Sequence, residues 1–198
     1  GLLDDRTILS FTINFNPNQT EFSAVRYAAE FTRVIEMADK FGNAVVAIRG
    51  HSDPSKTLID LIKAGNAKGT LRRSGTQGNY RYSLNGRALD LNDTSQLVDA
   101  IAAGDFVGVE NYNPRRTLQA ALNLPRNRAG AVKNSVAEYA KAQRITMALS
   151  QNQQQGVGIA EPFIAKPRSM DEAKQNMRVE FRLLRVSAEV TQESDFDF

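Results

Sequence analysis

Cysteine is missing from all 198 residues, and histidine occurs once, at position 51. The first absence excludes disulfide staples, thiolate metal sites and a lipidated N-terminal Cys within this sequence. It fits an oxidising or a reducing compartment equally. The second absence means that any Ser-His-Asp or imidazole-metal reading must run through His51. A single His beside Asp53 offers neither a convergent nucleophile nor a second nitrogen ligand. The chain is therefore not read as an enzyme, and no metal or organic cofactor is expected. No apolar run approaches the ~20 residues of a membrane span. Gly1-Leu2-Leu3-Asp4-Asp5-Arg6 lacks the apolar core of a signal peptide, so if the protein is exported, its signal and any membrane attachment are expected upstream of Gly1. A strong charge imbalance is absent too: 25 basic against 22 acidic side chains leave a formal +3. That permits an anionic partner without demanding one.

What is present is a globular pattern, 41% hydrophobic and 24% charged, enough for one sizeable core. Thr7 to Phe15 alternates apolar and polar residues and reads as a strand, broken by Asn16-Pro17-Asn18-Gln19. From Ser23, a plausible N-cap, to Phe41, Val25, Ala28, Phe31, Ile35 and Ala38 recur at helical spacing, and Gly42 sits where a left-handed C-terminal cap belongs. Ala44 to Ile48 is an apolar run that predicts a buried central strand ending at Gly50. In the second half, Ala129, Val132, Val136, Tyr139 and Ala140 predict a helix over 128–143, with Pro125 at its entrance. Gly156-Val157-Gly158 marks a tight segment, and Arg178 to Val186 predicts a final strand.

Between these halves, roughly Thr57 to Thr117, the character changes. Leu58, Leu61 and Ile62 suggest a short helix. Asn85-Gly86 joins Tyr80–Leu84 to Arg87–Leu91 as a predicted hairpin. Asp93 with Gln96 resembles a capping box ahead of a helix closed by Gly104. The stretch is expected to form its own small subdomain. Arg72, Arg73, Tyr80, Arg81, Tyr82 and Arg87 put basic and aromatic side chains on it, a mixture able to hold single-stranded nucleic acid. It is also the ordinary make-up of a soluble hairpin, and Asp90, Asp93, Asp99 and Asp105 dilute the basic field, so nucleic acid is not the expected partner.

Four segments in order resemble one family. Gly50-His51-Ser52-Asp53 is similar to the "GH(T/S)D" segment of OmpA-like (OmpA/MotB C-terminal) domains, and Leu124-Pro-Arg-Asn-Arg128-Ala129 to their "LSxxRA" helix start. Gly156-Val157-Gly158 through Pro162 resembles their "GxGxxxP" loop, and Asn176 through Glu180 their "NRRVE" strand start. The resemblance covers about Ile8 to Ser55 and Leu124 to Val186. It implies an α+β fold, a βαβαββ two-layer sandwich over 1–198, here with an inserted helix–hairpin–helix subdomain at about 57–117. It also implies non-covalent binding of peptidoglycan in the periplasm, through the diaminopimelate side chain of the stem peptide, to anchor an envelope protein or complex. Other envelope proteins would meet the insertion.

The chemistry of the pair fits. Asp53 follows a buried strand and Arg128 is placed at a helix start, so both are expected at one sheet end, where α/β ligands bind. A carboxylate accepts from an ammonium, while a guanidinium grips a carboxylate bidentately, and free N–H groups at the helix start would add to it. The resemblance adds Asn18 as a ligand contact. An Asp in such a place is otherwise an Asx turn or cap, and an Arg at a helix start a solvated charge. Glu180 is expected to face solvent or a neighbouring strand, with Glu161 in a structural turn. His51 is expected to be a buried or half-buried structural residue at the strand end.

Three departures stand against the family pattern: Ala121 where an Asn is usual, Pro125 where a Ser is, and Met177 where an Arg is. Arg115 and Arg116, near the exit of the insertion, are the candidates to restore positive charge. A protein-interaction module on the same fold with ligand binding lost is the alternative reading.

Overall fold

The computed structural model describes residues 6–41, 44–144 and 152–185, without the side chains of 152–154. Gly42 and Val186, assigned above to a helix cap and the last strand, lie outside the described residues. Four strands form the main sheet: β1 (Thr7–Asn14), β2 (Ala44–His51), β6 (Asn152–Gly158) and β7 (Arg178–Arg185), in spatial order β1-β7-β2-β6. β7 is antiparallel to both β1 and β2, and β6 is parallel to β2.

Strand alternation sorts the side chains onto two faces. Ile13, Val46, Ile48, Val179, Phe181 and Leu183 are buried under α1 (Ala28–Lys40) and α4 (Pro114–Ala142). Those helices contribute Phe31 and Val34, and Ala129, Val132 and Val136, respectively. Phe11 stacks on Phe181 at 4.8 Å between ring centroids. With α5 (Met170–Asn176) added before β7, the order β1–α1–β2–α4–β6–β7 is the α+β, βαβαββ arrangement expected above.

Two expectations about helix starts need correction. Ser23 makes no side-chain cap bond, and a 3-10 turn over Ala24–Tyr27 precedes α1. Pro125 does not open a helix; it lies inside the 29-residue α4, which starts at Pro114 with Asn113 capping the Arg115 amide. Interior proline removes the bond to the carbonyl four residues back and costs ~3 kcal/mol, which is why the sequence pattern favours an entrance there. Packing explains its tolerance. A Cβ built on Gly50 would lie 2.0 Å from the Pro125 carbonyl oxygen, and one on Gly156 would lie 3.1 Å from Arg126 Cβ. Glycine on β2 and β6 thus lets α4 press onto the sheet at the proline turn.

The middle segment contains α2 (Ser55–Ala67), β3 (Leu71–Ser74), β4 (Arg81–Leu84), β5 (Arg87–Leu89) and α3 (Thr94–Ala103). The predicted hairpin is one part of a three-stranded antiparallel sheet, β3-β4-β5. Asn85 (φ 51) and Gly86 (φ 79) make its turn. Asp93 caps α3 by accepting from the Ser95 and Gln96 amides. Leu61, Ala64, Leu97 and Ile101 anchor a second apolar cluster, to which Ile159 of the main chain path also belongs.

Candidate functional site

At the carboxyl ends of β1 and β2, a cavity of about 470 Å³ opens between the β1–α1 loop, α2, α4 and the start of β7. Asn18, Asp53 and Arg128 all line it, as do Ser52, Thr57 and Met177. Sheet geometry places them together: β1 and β2 run the same way, so their trailing loops meet, and the leading end of antiparallel β7 joins them.

Arg128 is not at a helix start. It sits in the middle of α4, is 1% exposed, and so gains nothing from a helix terminus. Its Nε donates to the Gln19 carbonyl at 2.8 Å and its Nη2 to the Asn16 carbonyl at 3.0 Å, with the guanidinium 5.0 Å from the Phe15 ring centre. Arg128 thereby holds the loop that presents Asn18, itself at φ 59. Its Nη1 has no hydrogen-bond partner. Burial pushes the guanidinium down to about 10 from 12.5, which leaves it cationic at neutral pH.

Asp53 does serve as a cap: its Oδ2 accepts from the Ser55 amide at 3.0 Å. Oδ1 accepts from Asn176 Nδ2 at 2.9 Å. A carboxylate has about four acceptor sites, so capacity remains for a ligand donor. Asn176, fully buried, is the support that composition and spacing did not single out. It also exchanges two bonds with the Ile164 backbone, at 2.8 and 3.0 Å. The helix N-terminus beside the cavity belongs to α2, whose first turn supplies Lys56 and Thr57 to the wall. The Lys56 ammonium is 2.5 Å from buried Asp60, whose other oxygen accepts from Thr117 on α4. That contact ties the two helices together across the cavity floor.

Buried polar groups are normally paired. Here Ser52 Oγ, Thr57 Oγ1 and Arg128 Nη1, all from residues of this one wall, have no partner. Ala121 and Met177 line the same cavity, so the Asn and Arg implied by the resemblance are missing from the wall itself. Arg115 does not replace them. Its guanidinium donates to the carbonyls of Ile101, Ala102 and Gly104, closing the C-terminal end of α3. Neither Arg115 nor Arg116 is among the residues that line the cavity.

On the opposite sheet face lies a charged cluster that the sequence reading passed over. Glu180 on β7 meets Arg178 at 2.9 Å, Arg182 at 3.1 Å, Arg49 at 3.9 Å and His51 Nε2 at 3.6 Å. Arg49 also pairs with Glu161 at 2.8 Å. The His51 imidazole beside it, then Arg178, push Glu180 down to about 2. Glu180 and Glu161 are therefore ion-pair members, and His51 is fully buried as expected. Cross-strand register made this visible only in three dimensions: Arg49 is paired with Glu180 across β2 and β7. Among the described residues, no group of three His, Asp or Glu side chains converges to hold a metal ion.

No family model matches the sequence, and no curated protein matches it significantly. Solved structures similar to it include the peptidoglycan-associated lipoprotein from Burkholderia pseudomallei, at 12% identity and TM-score 0.47, covering 87% of this chain and 88% of that one. The periplasmic domain of Helicobacter pylori MotB gives 11% identity and TM-score 0.48, with 94% and 82% covered. The OmpA-like domain of FopA1 from Francisella tularensis gives 10% and 0.44, with 90% and 75% covered. At such identities the likeness is one of fold alone.

Proposed function

We propose that the cavity binds the zwitterionic end of a peptidoglycan stem peptide, the amine and carboxylate of a diaminopimelate-type residue, and so tethers the chain to the cell wall in a periplasm. The observation that carries this reading is one cavity whose lining residues include a carboxylate, a buried guanidinium with an unpartnered Nη1, and two unpartnered buried hydroxyls. Asp53 would accept from the ligand ammonium. Arg128 Nη1, with the first turn of α2, would face the ligand carboxylate. Nothing in this role asks for a bond to be broken, and the domain acts as a binding module.

Met177 and Ala121 favour a second reading, a protein-interaction module on the same fold with ligand binding lost. Co-sedimentation with purified peptidoglycan, with calorimetry on a diaminopimelate-containing peptide, separates the two. Retention that falls in Asp53→Asn supports the first reading. Absence of binding by the folded wild-type chain overturns the first and leaves the second.

A further inference from the structure

A second hollow lies away from that cavity, where the β3–β4 loop faces the segment after β6. It is a groove of about 850 Å³ lined by Asn79, Tyr80, Arg81, Asn92, Lys166 and Arg168 among others. It continues into a hollow of about 310 Å³ that shares Tyr80, Arg81, Asn92 and Lys166. Three cations thus converge from two separate stretches of chain. Two carboxylates lie beside them without forming an ion pair to them: Asp90, which lines the smaller hollow, accepts from the Asn92 amide and side chain, and Glu172 accepts from the Arg168 backbone amide. No side-chain ion pair neutralises Arg81, Lys166 or Arg168 among the described residues.

Bringing three like charges to one groove costs free energy unless an anion occupies it. The loop that carries the groove is also preset. Gly75 and Gly78 adopt φ 93 and 92, and a Cβ on Gly75 would strike the Asn79 carbonyl at 2.4 Å. Tyr80 is 40% exposed, and Arg73 stands 4.3 Å from its ring centre. The guanidinium holds the ring in place and leaves its exposed side to a flat apolar surface such as the C–H face of a sugar. The asparagines Asn79 and Asn92 add planar donor–acceptor groups suited to hydroxyls and acetamides.

We propose that this groove binds an acidic saccharide, hydroxylated rings bearing carboxylates, and that in the cell wall it takes stretches of glycan strand from which the stem peptides have been removed, whose lactyl carboxylates are free. The identity of the strand rests on the stem-peptide reading above; the acidic-saccharide chemistry rests on the groove alone. One exposed ring and a short groove suit one or two sugar rings better than a run of stacked bases.

The test is calorimetry on the full chain with three probes: peptide-free glycan strands, a neutral oligomer of N-acetylglucosamine that lacks the lactyl groups and their carboxylates, and a single-stranded oligonucleotide. A diaminopimelate-containing peptide is titrated in parallel. The glycan strand is expected to bind at least tenfold more tightly than the neutral oligomer. Arg81→Glu and Lys166→Glu are each expected to weaken it at least tenfold, with unchanged melting temperature and unchanged stem-peptide affinity. Equal binding of the neutral oligomer, or undiminished glycan binding by both variants, overturns the proposal. Tighter Arg81-dependent binding of the oligonucleotide overturns it in favour of nucleic acid. Glycan binding without stem-peptide binding supports the groove and counts against the cavity.

Discussion

Arg128 Nε donates to the carbonyl of Gln19 at 2.8 Å, across 109 residues of sequence. A side chain from the middle of α4 therefore fixes the loop after β1, and the proposed ligand contact would share its guanidinium with the loop architecture. Arg128→Ala is expected to do two things at once. It leaves the Gln19 carbonyl without a donor, at about 1–3 kcal/mol, and the Asn16 carbonyl with the Gln19 amide alone, and it removes the cation. A fall in melting temperature together with loss of peptidoglycan co-sedimentation is the expected outcome, with Arg128→Lys recovering charge but not the paired geometry.

Asp53→Asn separates binding from folding more cleanly. One side-chain oxygen remains to cap the Ser55 amide, the new amide nitrogen faces Asn176 Nδ2 and gives up that one bond, and the charge that would attract a ligand ammonium is gone. Affinity for a diaminopimelate peptide is expected to fall about ten- to hundred-fold, roughly 1.5–3 kcal/mol, with the circular dichroism spectrum unchanged. Full affinity in the folded variant would falsify the assignment of Asp53.

Met177 and Ala121 line the cavity where the resemblance implies an Arg and an Asn. The double change Met177→Arg with Ala121→Asn is expected to tighten binding of the same peptide roughly tenfold, the worth of about one added hydrogen bond to a charged group. Arg115→Ala should leave affinity unaltered, since its guanidinium closes α3; its cost should appear as lower thermal stability.

Glu180 gives a pH signature. Its carboxyl is held at about 2 against an ordinary 4.5, chiefly by His51 and then Arg178. A depressed carboxyl adds stability that is fully present above the unfolded value and lost as pH falls through the folded one. Melting temperature should therefore drop between pH about 4.5 and about 2. In Glu180→Gln that part of the slope should vanish, at the cost of a lower melting temperature at neutral pH.

Gly50→Ala tests the contact between β2 and the proline turn. Its Cβ would stand 2.0 Å from the Pro125 carbonyl oxygen, and the helix must move. Overpacking of this kind costs about 1–3 kcal/mol or more, read as a lower denaturant midpoint. Gly156→Ala, at 3.1 Å from a side-chain carbon, should cost less. Replacing 57–117 by a short polar linker is a harsher test of the proposed insertion. A cooperatively unfolding remainder with weakened stem-peptide binding is expected, because Thr57 and Thr117 belong to the cavity wall.

Local pattern was enough for the elements themselves. Alternation in Thr7–Phe15 and the apolar run at Ala44–Ile48 require strands, Asn85-Gly86 requires a tight turn, and Asp93 requires a cap, because each depends on neighbours within a few residues. The meeting of Asp53 and Arg128 was expected from a strand end and a helix start, the second of which α4 does not provide, and Asn18 was legible only through the family resemblance. What tertiary structure alone decided depends on contacts between distant segments. Pro125 reads as a helix entrance until Gly50 is seen beneath it. Arg115 reads as a spare cation until the end of α3 is placed against it. Glu180 reads as facing either solvent or a neighbouring strand until β2 brings Arg49 and His51 to its side. Periodicity reports which face a residue takes on its own element; only packing reports what stands opposite.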